Sequence, residues 1–191
     1  MKITRVMICL VMFMLILSTP LKGENGALKK NPDFTAQNID AAEVRRMIKE
    51  MGARKTIDKL YDDEAIWIRI KEEIATGKKE WVEVATLLYP GSDAGSAEMI
   101  DIALGEALKN APELVLGMIS DPDQLEVVCG SINVDEQKFS SLRKSIDEVE
   151  ERIRVLSRVK DPKLEASAKR CIAQLEQLIQ SLHKYFGESE D

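Results

Sequence analysis

The chain has 191 residues, of which 31% are charged, and its 33 acidic residues outnumber 27 basic ones, so that its formal net charge is −6. This balance argues against nucleic acid, anionic lipid and anionic cell-wall polymer as electrostatic partners, because these require clustered lysine or arginine. Only 5% of the residues are aromatic, too few to indicate an extended stacking surface for sugars or bases. The composition does not exclude basic proteins, metal ions or neutral ligands as partners.

The N-terminus has the residue order of a secretory signal peptide. Lys2 and Arg5 precede an unbroken apolar run at 6–17, and polar residues and a proline follow it. The run is shorter than the roughly 20 residues that cross a bilayer as a helix. The sequence therefore predicts a signal peptide over residues 1–23, which would direct the chain to the periplasm or out of the cell.

The cleavage site is the weak part of this signal. A cut after Gly23 places Leu21, rather than a small residue, two positions earlier. An uncleaved anchor in the inner membrane is therefore the alternative. A lipoprotein is not indicated, since Cys9 lies within the apolar run. Cleavage would leave about 170 residues, enough for one domain with its own core, and would make the net charge three units more negative.

Helical patterns begin after an irregular leader. Residues 24–38 show no periodicity and are predicted to be flexible. Residues 39–130 carry successive short helical patterns, the first of which follows a capping-box-like Asp40 and ends at Gly52. In the central block, 79–119, apolar residues occupy more than one face of each helix, which is typical of the interior of a layered array. We therefore predict an all-α fold with a right-angled or solenoid-like array, similar in style to helical repeat proteins but without a repeat motif.

Residues 131–187 are predicted to form a long antiparallel helical hairpin that packs on the array as part of the same domain. Apolar residues recur at alternating spacings of three and four over 139–156 and again over 164–185. A turn at 160–162 would join two helices of about 25 residues each. An acidic tail, 188–191, follows the hairpin.

Cys129 and Cys171 are the first candidates for a chemical role, because an exported chain meets conditions that permit disulfides. A bond between them would close a loop of about 40 residues, which corresponds to about 4 kcal/mol of stabilisation. The predicted hairpin is an obstacle, since it places Cys171 opposite Glu150, about 22 Å up the first arm. Residues 130–134 would then have to run back almost fully extended. We predict the disulfide, with two buried free thiols as the alternative.

The abundant carboxylates have structural explanations. Asp62, Asp63 and Glu64 are explained by the capping of a helix and the favourable placement of acids at its N-terminus. The charged residues of the hairpin, with Glu148 and Arg152 among them, are interpreted as a solvated face with ion pairs one turn apart.

Motifs for histidine-based catalysis or metal binding are not supported. His183 is the only histidine, and the hairpin periodicity turns it towards solvent. Asp121, Asp123 and Glu126 lack the twelve-residue spacing and the central glycine of an EF-hand. We therefore predict neither a metal nor a cofactor.

The enzyme class that needs explicit comparison is that of the lysozyme-like glycosidases and lytic transglycosylases. These enzymes require a buried glutamic acid beside a sugar groove. Four glutamates qualify by helical position alone, and none has a recognisable motif around it: Glu72, Glu73, Glu98 and Glu106. Catalysis is therefore disfavoured, and a cell-wall hydrolase or lyase stays as the alternative function.

The loop at 91–96 is the most distinctive candidate for contact with a partner or a small ligand. A glycine-rich approach to a helix N-terminus exposes backbone amides to an anion. Ser92 and Asp93 are more simply explained as a helix cap, and the charge of Asp93 would repel a phosphate. Ser92, Asp93 and Ser96 are kept as candidate partner-binding residues.

Trp67 and Trp81 are interpreted as core residues, because each falls on the apolar stripe of its helix. Tryptophan is also enriched where interfaces concentrate binding energy. Either residue is therefore a candidate partner-binding anchor on condition that it is exposed.

These observations predict an exported, periplasmic, all-α module that binds another exported or envelope protein in an inhibitor, immunity, adaptor or assembly role. We expect no catalysis, no nucleic-acid binding and, once the signal is cleaved, no stable insertion in a membrane. A membrane-tethered spacer with an uncleaved anchor is a further alternative.

Overall fold

The computed structural model describes residues 35–132 and 142–187. Within these ranges the regular elements are helices and no strand occurs, which confirms the all-α prediction. The predicted signal peptide, most of the leader, the segment 133–141 and the acidic tail lie outside the described residues. The last leader residues form a turn, in which the amide of Thr35 donates to Oδ1 of Asn38 at 2.8 Å.

The described part of the chain folds into mostly short helices, and the longest of them comes last. They are α1 (Ala41–Met51), α2 (Ala53–Tyr61), α3 (Glu64–Ala75), α4 (Lys79–Leu88), α5 (Ala94–Asn110), α6 (Pro112–Met118), α7 (Pro122–Gly130), α8 (Leu142–Leu156) and α9 (Glu165–Gly187). A 3₁₀ turn, Tyr89–Gly91, lies between α4 and α5. None of the described helices combines the length and the apolar content needed to span a membrane.

Local sequence signals set several helix ends. Asp40 caps α1 by accepting a hydrogen bond from the amide of Glu43 at 2.8 Å. Asp63, rather than Asp62, caps α3. Gly52 ends α1 with a φ of 85°, a backbone conformation that glycine adopts without strain. The starts and stops predicted at these positions are therefore confirmed.

The hydrophobic core draws side chains from each described helix, with α4 among the most deeply buried. Val82, which lies off the main stripe of α4, is fully buried, whereas Leu87 on the same helix is 45% exposed. The buried residues of α4 are Trp81, Val82, Val84, Ala85 and Leu88. Burial of such apolar side chains is the main favourable term in folding, at about 25 cal/mol per Å².

The helix α5 is a central contact element, since α3, α6, α7 and α8 pack against it. In addition, α1 packs on α2 and α4, and α9 packs on both α7 and α8. The last helix therefore contacts the short helix α7 directly as well as its hairpin neighbour α8.

The contact between α7 and α9 brings Cys129 and Cys171 together as a disulfide, with their Cα atoms 5.2 Å apart. Both residues are fully buried. The expected obstacle does not arise, because α9 lies along α7 itself and Cys171 meets Cys129 across that contact. The chain after Cys129 therefore has no need to run back along the hairpin.

The connection between α8 and α9 is longer than the predicted three-residue turn. The helix α8 ends at Leu156 and α9 begins at Glu165, so that residues 157–164 join them. Asp161 precedes a proline, a position that disfavours helical backbone. Its carboxylate also accepts a hydrogen bond from the amide of Lys163 at 2.9 Å, which stabilises the turn before α9.

Candidate functional site

A groove of about 560 Å³ opens between α2 and the N-terminus of α5. On α2, the lining residues recur within one turn and share a face of the helix. Ile57, which is only 2% exposed, forms the apolar floor. The full lining is Ile57, Asp58, Tyr61, Asp62, Asp93, Ala94 and Gly95. The groove therefore combines an apolar base with carboxylates around it.

The N-terminus of α5 is held in place by a capping box. Oδ1 of Asp93 accepts from the amide of Ser96 at 3.0 Å, and the hydroxyl of Ser96 accepts from the amide of Asp93 at 2.9 Å. The hydroxyl of Ser92 donates to the carbonyl of Tyr89 at 2.6 Å. These bonds give the loop the structural role that the sequence favoured.

The three loop residues that were candidate partner contacts have different surroundings. Asp93 lines the groove. Ser96 is only 1% exposed, so the hypothesis that it touches a partner is corrected, because the capping box turns its side chain inward. Ser92 lies outside the groove lining and stabilises the turn that precedes α5.

Gly91 brings this loop against the start of α2. A Cβ atom at Gly91 would lie 2.6 Å from the carbonyl carbon of Ala53 and 2.7 Å from its Cβ. Real side-chain atoms do not approach so closely, so glycine is required for this backbone contact. The contact holds the two walls of the groove together.

Tyr61 forms the aromatic wall of the groove. The residue is 51% exposed, and its ring centroid lies 5.4 Å from that of Trp67, with the planes inclined at 49°. Tilted aromatic pairs of this kind are favourable and orient both rings. Trp67 therefore supports Tyr61 from the core side.

Both tryptophans belong to the core. Trp67 and Trp81 are each 5% exposed, so the hypothesis that they act as exposed partner anchors is corrected. The neighbouring helices cover their rings, as expected for residues on an apolar stripe. The aromatic residue of this region that reaches the surface is instead Tyr61, which was not among the residues predicted from the sequence. Its place at the last position of α2 was the available signal, since a helix end is less fully covered than its middle.

The charge of the groove is negative. Arg54 contacts Asp58 at 3.1 Å and Asp93 at 3.5 Å, while Asp62 has no ion-pair partner among the described residues. Hydrogen bonds from the amide and then the hydroxyl of Ser96 hold the pKa of Asp93 below its usual range, so this carboxylate stays ionised. Three carboxylates therefore face the groove against one paired cation.

A second cluster of charges lies between α5 and α8. The side chain of Arg152 is fully buried and pairs with Glu106 at 2.8 Å and Glu148 at 3.5 Å. Lys109 contacts Glu106 as well and approaches Glu148 at 3.4 Å. The prediction that Glu148 and Arg152 form a solvated face is therefore wrong for Arg152. The packing of α8 on α5 turns this position inward.

The two glutamates of this cluster have opposite pKa shifts. Burial raises the pKa of Glu106, but hydrogen bonds with Glu148 and Lys109 and the charge of Arg152 outweigh burial and hold it at about 2. Burial and the neighbouring Glu106 raise the pKa of Glu148. Glu106 is thus an ionised partner of two cations, which is the opposite of the protonated acid that a glycosidase requires.

The other glutamates considered for catalysis do not form a site. Glu73 is 8% exposed and pairs with Arg69 and, at 3.1 Å, with Lys78. Glu72 and Glu98 are exposed. None of the four candidates lines the groove.

Asp101 is a buried carboxylate that was not among the candidates predicted from the sequence. It is 3% exposed, and the hydroxyl of Tyr89 donates to its Oδ2 at 3.4 Å. Its Oδ1 and Nε2 of Gln124 are both buried without a hydrogen-bond partner at normal distance among the described residues. Burial raises the pKa of Asp101 to about 6, although Tyr89 and Gln124 act in the opposite direction.

Within the described residues, no group of three or more histidine, cysteine, aspartate or glutamate side chains is placed to hold a metal ion. The sequence matches no known protein-family model, and we found no curated protein and no solved structure with significant similarity to it. Function is therefore inferred from the groove and from the sequence.

Proposed function

We propose that this chain is an exported, non-catalytic module that binds another exported or envelope protein through the groove between α2 and α5. The observation that carries this proposal is the groove itself, in which the half-exposed Tyr61 stands beside a buried apolar floor. Aromatic side chains at a concave surface are typical of protein interfaces. Inhibitor, immunity, adaptor and assembly roles all use such a surface.

The proposed location follows from the N-terminal signal pattern and agrees with a disulfide between Cys129 and Cys171, which an oxidising compartment permits. Intact-mass spectrometry of the chain from its native host tests it. Loss of residues 1–23 is expected. Retention of Met1, with sedimentation in the membrane fraction, would instead favour the tethered spacer.

The binding proposal is tested by capture from the envelope fraction after mild crosslinking. The wild-type chain is compared with Gly95→Trp, which is designed to fill the groove, since the nearest atom to a Cβ at Gly95 is Oδ1 of Asp93 at 4.0 Å. The matched control is Ala173→Trp, at an exposed position of α9 outside the groove lining. Circular dichroism verifies that both variants fold.

A stoichiometric partner retained by the wild type and by Ala173→Trp but lost with Gly95→Trp is the expected result. Recovery of the chain alone at low salt contradicts a stable partner. A partner retained equally by all three chains contradicts the groove as its site.

A further inference from the structure

We infer that the groove takes a basic segment of the partner, with one lysine or arginine side chain lying along Tyr61 and its charged end among Asp58, Asp62 and Asp93. This inference rests on the proposed function and adds the chemical class of the partner.

The shape and polarity of the groove suit a long side chain with an apolar stem. Ile57 supplies a buried apolar floor, and Tyr61 presents an exposed ring on one wall. Ala94 and Gly95 on the opposite wall leave room, because they carry almost no side chain. Lysine and arginine cover apolar surface with their stems and keep the charged end in a polar setting, and their cations are attracted to the face of an aromatic ring.

The negative charge of the groove favours a basic segment over an acidic segment or a nucleic acid. The lining holds three carboxylates and no basic residue, and Arg54 pairs with only two of the three. The remaining cations of α2, Lys55 and Lys59, lie outside the lining. An acidic segment or a nucleic acid would be repelled here, whereas a cation is attracted, most strongly at low salt. Asp62, which has no ion-pair partner among the described residues, is the carboxylate best placed for a new contact.

Arg54 acts as an internal competitor for the same carboxylates. Its guanidinium already reaches Asp58 and Asp93, and its side chain is 55% exposed, so these ion pairs are weak and exchangeable. Removal of Arg54 therefore makes the groove more negative. A basic ligand should then bind more tightly, which is a gain that general damage to the fold would not produce.

The probe is a short synthetic peptide with one central lysine flanked by leucines, and the control peptide has norleucine in place of that lysine. Each is titrated into the full mature chain, and the amide resonances of Tyr61, Ala94 and Gly95 are followed by NMR. We expect the lysine peptide to bind at least about threefold more tightly at low salt, and the difference to shrink at high salt. Equal affinity of the two peptides, or absence of lysine-dependent shifts, overturns the inference.

Three variants test whether binding of the lysine peptide depends on the charges of the groove. Asp62→Asn is expected to weaken binding of the lysine peptide about threefold, and Arg54→Gln to strengthen it by a similar factor. Glu176→Gln, at an exposed position of α9 outside the groove lining, is the control and should leave affinity unchanged. Weaker binding by Arg54→Gln, or equal loss in Asp62→Asn and Glu176→Gln, contradicts the inference.

The same variants separate this inference from the proposed function. A captured partner that is lost with Gly95→Trp but is insensitive to Asp62→Asn, Arg54→Gln and salt supports the groove and overturns the basic occupant. Capture of a partner that Gly95→Trp does not affect overturns both.

Discussion

The guanidinium of Arg152 donates a hydrogen bond to the carbonyl oxygen of Ser131 at 2.5 Å from a fully buried position. Ser131 is the C-cap of α7, so a side chain from α8 satisfies a carbonyl that the end of a helix leaves open. The same guanidinium pairs with Glu106 of α5 at 2.8 Å. One side chain therefore links three helices.

Arg152→Met should lower the free energy of unfolding by about 2–4 kcal/mol, because it leaves the Ser131 carbonyl without its donor and removes a cation from Glu106. Urea denaturation followed by circular dichroism measures the change. The control is Arg143→Met on the same helix, where the side chain is 88% exposed, and the expected loss is below about 1 kcal/mol. Similar small losses in both variants would show that the buried cluster contributes little.

Gly105→Ala should destabilise the protein although alanine is the better helix former. The new Cβ would lie 2.7 Å from the Ser131 carbonyl oxygen and 2.8 Å from that of Val128. Backbone atoms cannot move aside easily, so a loss of about 1–3 kcal/mol is expected in the same denaturation experiment. Gly95→Ala is the matched control, since its Cβ meets only Oδ1 of Asp93, at an unstrained 4.0 Å, and helix propensity predicts a gain of up to about 1 kcal/mol. A gain in both variants would mean that α5 and α7 approach each other less closely.

Asp101→Asn should stabilise the protein at neutral pH and have little effect in acid. The pKa of Asp101 is raised to about 6 in the fold, whereas an unfolded aspartate titrates near 3.9. Between these values the folded chain keeps a proton that the unfolded chain has lost, so stability falls as the pH rises from about 4 to about 6. Asparagine does not ionise, so the variant should have a free energy of unfolding about 1–3 kcal/mol higher than the wild type at pH 7.

The pH series of urea denaturation curves for Asp101→Asn has a matched control in Asp147→Asn, which alters an exposed carboxylate on α8. The difference between Asp101→Asn and the wild type should grow over that pH interval and then remain constant. A difference that is constant across the whole range would contradict a buried, titrating Asp101.

The disulfide between Cys129 and Cys171 should resist reductants until the protein opens, because both residues are fully buried. Alkylation in denaturant without reductant, followed by mass spectrometry, should find neither cysteine modified, and both should be modified once a reductant is added. The double variant Cys129→Ala, Cys171→Ala should lose about 2–4 kcal/mol of stability. Alkylation of either cysteine in the unreduced protein would show that the bond is incomplete.

The sequence by itself determined the features that depend on near neighbours. The cap at Asp40, the stop at Gly52 and the apolar periodicity of each helix follow from interactions within a few residues, so they were predictable. The pairing of Cys129 with Cys171 was predictable because the chain after the predicted signal peptide has only these two cysteines. The expectation that the hairpin would hinder the bond was wrong.

Only the tertiary structure decided which faces are covered. Arg152 occupies a position that a heptad pattern assigns to solvent, yet α5 and the end of α7 bury it. Tyr61 and Trp67 are both aromatic residues near a helix end, and the packing of α2 and α3 buries one and leaves the other at the groove. Burial is set by helices that are distant in sequence, and local periodicity carries no information about which of them will pack there.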